Sequence, residues 1–213
     1  LIPRTQQWLL GQQESDGSWP ADPSYLHEES WGRIQNTKVL PTAYITWALA
    51  ESGFTGDQLD RAVGYIAEHQ SEAKDAYTLA IVCNALVAVD KKAEITDKAL
   101  QRLVDMRKEE DGKVYWPAGL STITHSTGEG ADVEATALAA YALIKSGRYT
   151  GIVSQALTWL IQAKSPDGIW PSTQATVMAL KALLAATGSA TQEVNAEVSI
   201  LINGEVAGGF ALT

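Results

Sequence analysis

One loop occurs three times in this chain, and it dictates a repeat architecture. Residues 8–20 read Trp-Leu-Leu-Gly-Gln-Gln-Glu-Ser-Asp-Gly-Ser-Trp-Pro, and residues 159–171 read Trp-Leu-Ile-Gln-Ala-Lys-Ser-Pro-Asp-Gly-Ile-Trp-Pro. A third copy, Asp111-Gly112-Lys113-Val114-Tyr115-Trp116-Pro117, carries two extra residues before its Trp. Asp-Gly favours a turn, because Asp bonds its own backbone and Gly accepts positive φ, and Pro keeps the residue before it out of the helical region. Each copy therefore reads as a helix end, a turn and an aromatic plug that folds the loop back onto the core. Turn formation, not acid catalysis, explains the Asp residues, which sit in separate repeats.

The helices on either side of these loops alternate in character. Thr42 to Leu49, Ala76 to Val89, Glu134 to Ile144 and Ala175 to Ala186 are rich in Ala, Leu, Ile and Val and carry almost no charge. Three of them lead into Ser52-Gly53, Ser146-Gly147 and Thr187-Gly188, where glycine suits a left-handed cap. The intervening helices are amphipathic: between Gln58 and Gln70, Leu59, Ala62, Val63, Ile66 and Ala67 share one face. A helix that is apolar nearly all round must be surrounded by protein, whereas an amphipathic one keeps a wet side. The expected fold is all-α, a partial α/α toroid of four inner–outer pairs that stabilise one another by stacking. Helices are predicted near 5–13, 42–52, 58–70, 76–89, 95–107, 134–146, 152–164 and 174–186. From Glu193 the pattern changes to period two and reaches Asn203-Gly204, a hairpin signal. Residues 1–190 are thus expected to form the toroid and 191–213 the beginning of a β-sandwich module. Four pairs are too few to close a ring, and the chain opens on Leu1-Ile2-Pro3 rather than Met, both as expected of a fragment.

Composition removes several classes of function. A net charge of −9, with the basic residues scattered, argues against a nucleic-acid partner. No apolar run is long enough to predict a transmembrane segment. The single cysteine, Cys83, excludes an intrachain disulfide and a multi-cysteine metal site. Cys83, His69 and Asp75 lie close in sequence, but they fall on an inner helix, the end of an outer helix and the loop between, so no metal and no cofactor is expected. Asp57 and Asp60 read as the acidic first turn of an outer helix.

The segment Trp170-Pro171-Ser172-Thr173-Gln174-Ala175-Thr176-Val177-Met178-Ala179-Leu180-Lys181-Ala182-Leu183 narrows the field. It closely resembles the late signature of the thioester domain in the alpha-2-macroglobulin and complement family, and the resemblance extends over roughly residues 1–205. It implies a non-enzymatic piece of a proteinase inhibitor or complement-like thioester protein, extracellular or periplasmic. The implied partners are proteinases, for the full-length protein, and adjacent macroglobulin and β-sandwich domains of the same chain. The family's Cys-Gly-Glu-Gln motif, whose cysteine and glutamine form the internal thioester, is absent from these residues, so the chain itself is expected to be chemically inert. Ser172-Thr173-Gln174 reads locally as an N-cap and first helical turn.

The resemblance also implies a role for His27, in Tyr25-Leu26-His27-Glu28-Glu29-Ser30-Trp31-Gly32. In complement-type relatives a histidine in a similar loop attacks the thioester and passes the acyl group to hydroxyls. Neutral imidazole is nucleophilic and leaves readily, although Glu28 and Glu29 favour its protonated form. Glu28 stands where those relatives have Gln, and only Gly32 stands where a glycine pair is common. The alternative is a solvated loop histidine. A carbohydrate-active or isoprenoid-type enzyme on an α/α toroid is the competing class. It would use Trp19, Trp31, Trp116 and Trp170 as a sugar floor and Glu28, Glu29 or Glu129 as acids. No Asp-x-Asp-Asp motif supports an isoprenoid chemistry.

Overall fold

The computed structural model describes residues 2–20, 37–119, 121–189, 196–202 and 205–212. Eight α-helices alternate in it: α1 (Ile2–Gly11), α2 (Val39–Glu51), α3 (Asp57–His69), α4 (Ala76–Asp90), α5 (Glu94–Asp105), α6 (Gly128–Ser146), α7 (Thr150–Gln162) and α8 (Thr173–Ser189). The even-numbered helices form the inner layer, in which α4 packs between α2 and α6 and α6 packs between α4 and α8. Each of α2, α4 and α6 is followed by an outer helix that lies against it. The chain is therefore a row of inner–outer pairs in toroid-like packing, as its charge alternation predicts.

Local chemistry sets the helix ends. Asp75 caps α4, its Oδ1 accepting the Thr78 amide at 2.9 Å and its Oδ2 the Thr78 hydroxyl at 2.8 Å. At the end of α2 the Phe54 amide bonds to the Leu49 carbonyl and the Gly53 amide to that of Ala50, with Gly53 at φ 82°. The end of α6 repeats this pattern with Arg148, Gly147, Leu143 and Ile144, and Gly147 lies at φ 75°. Two of the three expected glycine stops are thus Schellman caps. The third is not, because α8 runs through Gly188 to Ser189.

The core sits where the inner helices meet. Every residue of α4 from Ala76 to Val87 is buried. The outer α3 buries Leu59, Ala62, Tyr65 and Ile66, and α5 buries Ala99, Leu100, Leu103 and Val104. Each large aliphatic side chain among them contributes roughly 1.5–3 kcal/mol. The Arg102 guanidinium of α5 donates to the carbonyls of Gln70 and Ala73, fixing α5 against the connection into α4.

Three features depart from the sequence expectation. The helix α6 starts at Gly128, six residues before the predicted 134. The third Asp-Gly turn closes a small antiparallel hairpin, β1 (Lys108–Glu110) with β2 (Lys113–Tyr115). Asp111 and Gly112 both have positive φ, 49° and 73°, the type I′ conformation of a two-residue hairpin loop. In the other two copies the glycine alone is left-handed. The hairpin lies on α7, where Tyr115 stacks on Trp159 with ring centroids 5.1 Å apart. This cover explains how α7, an outer helix, contains no charged residue. Finally, α8 is inner by composition yet leaves Val177, Leu180 and Leu184 exposed. After α8, β3 (Ala196–Ile202) and β4 (Glu205–Leu212) form an antiparallel hairpin with a register shift between Ile200 and Leu201. Asn203 and Gly204, the predicted turn, lie outside the described residues.

Candidate functional site

The loops that lead from outer to inner helices gather at one end of the row, and the tryptophans of the repeat hold them there. Trp19 Nε1 donates to the Leu9 carbonyl at 2.7 Å, Trp116 Nε1 to Leu103 at 2.6 Å and Trp170 Nε1 to Leu160 at 2.9 Å. Each indole thus caps a carbonyl in the last turn of the preceding outer helix, a group that the regular i→i+4 ladder does not reach. In two repeats the Trp backbone is also held: the Trp19 amide donates to Thr42 Oγ1 at 2.9 Å and the Trp116 amide to Thr136 Oγ1 at 3.0 Å. Trp19, Trp116 and Trp170 are 1%, 0% and 6% exposed. They cannot form a sugar floor, because both the ring faces and the indole N–H are already engaged in the core; this removes the main support for the carbohydrate-enzyme alternative. Trp31 lies outside the described residues, as do Glu28 and Glu29. Glu129 is an exposed residue in the first turn of α6.

His27 also lies outside the described residues. The chain on either side of it is firmly held, by Trp19 on one side and by Lys38 on the other. Lys38 Nζ bonds Glu14 Oε2 and lies 3.8 Å from Asp16 Oδ2. The Ser18 hydroxyl and amide, helped by Lys38, hold the Asp16 carboxyl below the usual carboxylate range.

Further along the same end, a buried carboxylate is surrounded by hydroxyls. Glu134, on α6, is 1% exposed. Ser126 Oγ donates to its Oε1, and Thr124 Oγ1 lies 3.0 Å from Oε2. Ser126 Oγ is 3.1 Å from Ser172 Oγ, which accepts the Ala175 amide at 3.0 Å as the N-cap of α8. The Ser172 cap predicted from sequence is therefore present, and it touches the loop before α6. A carboxylate two turns into an apolar helix was the available signal for Glu134; its hydroxyl partners come from a loop that helical periodicity does not describe.

Cys83, His69 and Asp75, neighbours in sequence, do not form a metal-binding group. Cys83 is fully buried in α4, and burial pushes its thiol up. His69 stacks on Tyr65 with ring centroids 4.1 Å apart, and its Nδ1 lies 2.9 Å from the Tyr65 carbonyl. Asp75 is occupied as the α4 cap. Among the described residues no group of three or more His, Cys, Asp or Glu side chains is arranged to hold a metal.

At the opposite end, the inner helices converge on an axial layer that helix-by-helix reading misses. Aligning them on their Ala-Leu pairs places Trp47, Asn84, Tyr141 and Lys181 at one repeat position. Asn84 Nδ2 donates to the carbonyls of Ala80 and Leu138, joining α4 to α6. Lys181 Nζ is 2.7 Å from Glu51 Oε2, and the Tyr141 hydroxyl donates to Glu51 Oε1 at 2.6 Å. Burial alone would raise the Glu51 carboxyl, but the Lys181 and Tyr141 hydrogen bonds outweigh it and hold the group below the usual range. Burial, then the Glu51 bond, pushes the Tyr141 hydroxyl up.

Paired inner and outer helices, with loops gathered at one end and an N-capped Ser-Thr-Gln turn opening α8, define an α/α-toroid scaffold. A family model described as the A-macroglobulin TED domain matches residues 1–185. The chain belongs to this family. It is 33% identical over 214 aligned positions to ovostatin of Gallus gallus, covering 94% of this chain and 14% of that protein. It is 28% identical to complement C3 of Lethenteron camtschaticum, covering 83% of this chain and 11% of the relative. It is 24% identical to thioester-containing protein 1 allele R1 of Anopheles gambiae, covering 86% and 13%. The chain therefore spans about an eighth of the length of these relatives. Family membership is consistent with a non-catalytic scaffold rather than an enzyme. No helix among the described residues is long and apolar enough to cross a membrane.

Proposed function

We propose that this chain is the later part of the thioester domain of a secreted or periplasmic alpha-2-macroglobulin-like proteinase inhibitor or complement-like thioester protein. Its own work is structural: it completes the helical scaffold against which the thioester of the longer protein is kept and released. The observation that carries this reading is the match of the family model over residues 1–185. The α/α packing and the Ser172 cap opening α8 agree with it. Residues 191–213 begin the adjoining β-sandwich module in this reading, consistent with the β3–β4 hairpin. Proteinases are the partners of the longer protein, and the neighbouring domains are the partners of this segment.

His27 is the residue proposed to act on the thioester. Neutral imidazole attacks the thioester carbonyl, the cysteine leaves as thiolate, and the acyl-imidazole then passes the acyl group to a hydroxyl while the imidazole is regenerated. The anchors at Trp19 and Lys38 support this, since they fix both ends of the segment that contains His27. The experiment uses the full-length protein with its thioester intact, activated by a proteinase in the presence of glycerol or methylamine. The expected result is that His27→Ala abolishes glycerol ester formation and preserves methylamine incorporation. Unchanged ester formation makes His27 an ordinary loop residue. Failure of the full-length protein to take up methylamine at all removes the thioester reading itself.

A further inference from the structure

The axial layer contains a cation site that is already filled. Lys181 Nζ lies 4.3 Å from the centre of the Trp47 ring and 4.7 Å from that of Tyr141, well inside the range of cation–π attraction. The two rings are themselves in contact, with centroids 5.9 Å apart. Glu51 supplies the counter-charge at 2.7 Å and is steadied by the Tyr141 hydroxyl. An ammonium group between two aromatic faces and a carboxylate is the arrangement by which proteins recognise organic cations.

We propose that Trp47, Tyr141 and Glu51 form an axial cage for a primary alkylammonium group, and that its occupant, Lys181, latches the last inner helix of this chain to the first. The occupant is supplied by α8, while the cage comes from α2 and α6. The latch matters because it ties α8 to α2, a second inner helix besides the α6 on which α8 is packed. On its other side α8 leaves Val177, Leu180 and Leu184 exposed. The link between Lys181 and Glu51 spans 130 residues, so it joins the two ends of the helical row directly. Since β3 begins seven residues after α8 ends, the latch also fixes the point from which the chain leaves the helical layer. The cage is reachable from solvent. The Lys181 and Glu51 side chains are 33% and 31% exposed, and open clefts of about 550 and 580 Å³ flank Tyr141. The cage rests wholly on described side chains and does not depend on the thioester reading or on His27.

Chemical rescue tests the proposal on this 213-residue chain. Lys181→Ala removes three methylenes and the ammonium, which n-propylammonium replaces atom for atom. Without added amine, amide hydrogen exchange in α8 should be about five- to thirtyfold faster in Lys181→Ala than in wild type, the range a partly desolvated cation–π contact supports. Exchange in α4 should be unchanged. Titrating n-propylammonium chloride should then slow α8 exchange saturably in the variant, with no such effect in wild type, and n-propanol at equal concentration should not substitute. A second variant, Lys181→Met, keeps most of the stem's packing and removes the ammonium; its α8 exchange should also be accelerated, with no rescue by the amine because the stem fills the space. Unaltered α8 exchange in both variants overturns the latch. Acceleration without saturable rescue of Lys181→Ala, or equal rescue by n-propanol, overturns the cage.

Discussion

The Trp–Thr clasp gives a direct test of how the repeat is held together. Thr136 Oγ1 accepts the Trp116 amide at 3.0 Å, and neither residue has any solvent exposure. Replacing Thr136 by Val keeps the shape and removes the acceptor, leaving a buried N–H with no partner. A buried donor stranded in this way costs about 1–3 kcal/mol. The methyl that replaces the hydroxyl offsets part of this, by no more than about 0.8 kcal/mol. At full offset the net loss is therefore about 1 kcal/mol, within a range of roughly 0.2–2.2 kcal/mol. Thr42→Val should behave alike, because it strands the Trp19 amide. Thr46→Val is the control. Thr46 is equally buried, but its hydroxyl donates to the Thr42 carbonyl of its own helix at 2.7 Å, and that carbonyl also lies within the helical ladder. Its removal should cost under about 0.5 kcal/mol. Urea unfolding followed by far-UV circular dichroism reads the difference. With a slope of roughly 2–3 kcal/mol/M, Thr136→Val and Thr42→Val should each lower the midpoint by about 0.5 M with the slope unchanged, and Thr46→Val should leave it nearly in place. Equal midpoints for Thr136→Val and Thr46→Val would refute the claim that the hydroxyl serves the loop amide rather than the helix.

Other expectations follow from single positions. Gly17 has φ 87°, and a Cβ there would stand 2.4 Å from the Arg61 carbonyl oxygen, whereas Gly168 has φ 79° and open space around it. Gly168→Ala should therefore cost about 1 kcal/mol for the left-handed backbone alone, and Gly17→Ala clearly more, as read by thermal unfolding. Glu51 has a carboxyl held below its unfolded-state value. Its contribution should be fully present above the unfolded-state carboxylate range and lost as pH falls through the depressed folded value, so the stability gap between wild type and Glu51→Gln should narrow on titration from pH 7 into acid. Tyr141 has its hydroxyl raised; its contribution should be present below pH about 10 and lost as the solution becomes more alkaline, and Tyr141→Phe should flatten that limb in the same unfolding measurement. Cys83, buried and with its thiol pushed up, should resist a thiol reagent in the native chain and react stoichiometrically in urea, and rapid native labelling would contradict its placement in α4.

Much of the architecture was legible because apolar periodicity and Asp-Gly-aromatic-Pro punctuation agree with each other along the chain. At Asp16-Gly17 both parts of the expected turn are present, Asp16 Oδ1 accepting the Ser18 amide and Gly17 at positive φ; at Asp167-Gly168 the left-handed glycine is present, and the Trp plugs are buried as expected. The errors have local causes. Gly128 and Gly130 discourage helix on propensity grounds, yet α6 extends through both, and an added Cβ at Gly130 would already stand 3.5 Å from Pro171. That distance is ordinary van der Waals contact, so no need for glycine explains the extension; the buried continuation of α6 carries the helix through both positions. The β1–β2 hairpin was missed because Lys108, Glu109 and Glu110 are exposed and charged, so only the I′ geometry at Asp111-Gly112 specifies it. Gly188 resembled a cap but lies within α8. The axial layer was hidden for a different reason. A lysine in an apolar helix reads as a surface residue until the four inner helices are superposed on their Ala-Leu pairs, when Lys181 falls level with Trp47 and Tyr141.

Glu134 and Lys181, two of the charged groups within the inner helices, lie where the helices can tolerate them. Loops preceding α6 and α8 meet through Ser126 and Ser172, and the Ile123 amide reaches the Tyr77 hydroxyl near the start of α4. Three inner-helix N-termini therefore share one end of the row, where their dipoles favour negative charge. Glu134, the buried carboxylate, is at this end and is satisfied by hydroxyls rather than by a lysine or arginine. Lys181 is at the middle of α8, but its ammonium reaches Glu51, the last residue of α2, where a helix C-terminus favours positive charge, and there it has both aromatic faces and a carboxylate. The dipole falls off within about one turn, so it biases the sign at each end, while the hydroxyls and the cage supply most of the stabilisation. This division predicts that the two groups are not exchangeable: Glu134→Lys should abolish folding, because a cation there faces helix N-termini and groups arranged to donate, whereas Glu134→Gln should keep the fold with weakened Ser126 and Thr124 contacts. Circular dichroism and urea midpoints of the two variants decide it, and a well-folded Glu134→Lys chain would show that the end of the row imposes no sign.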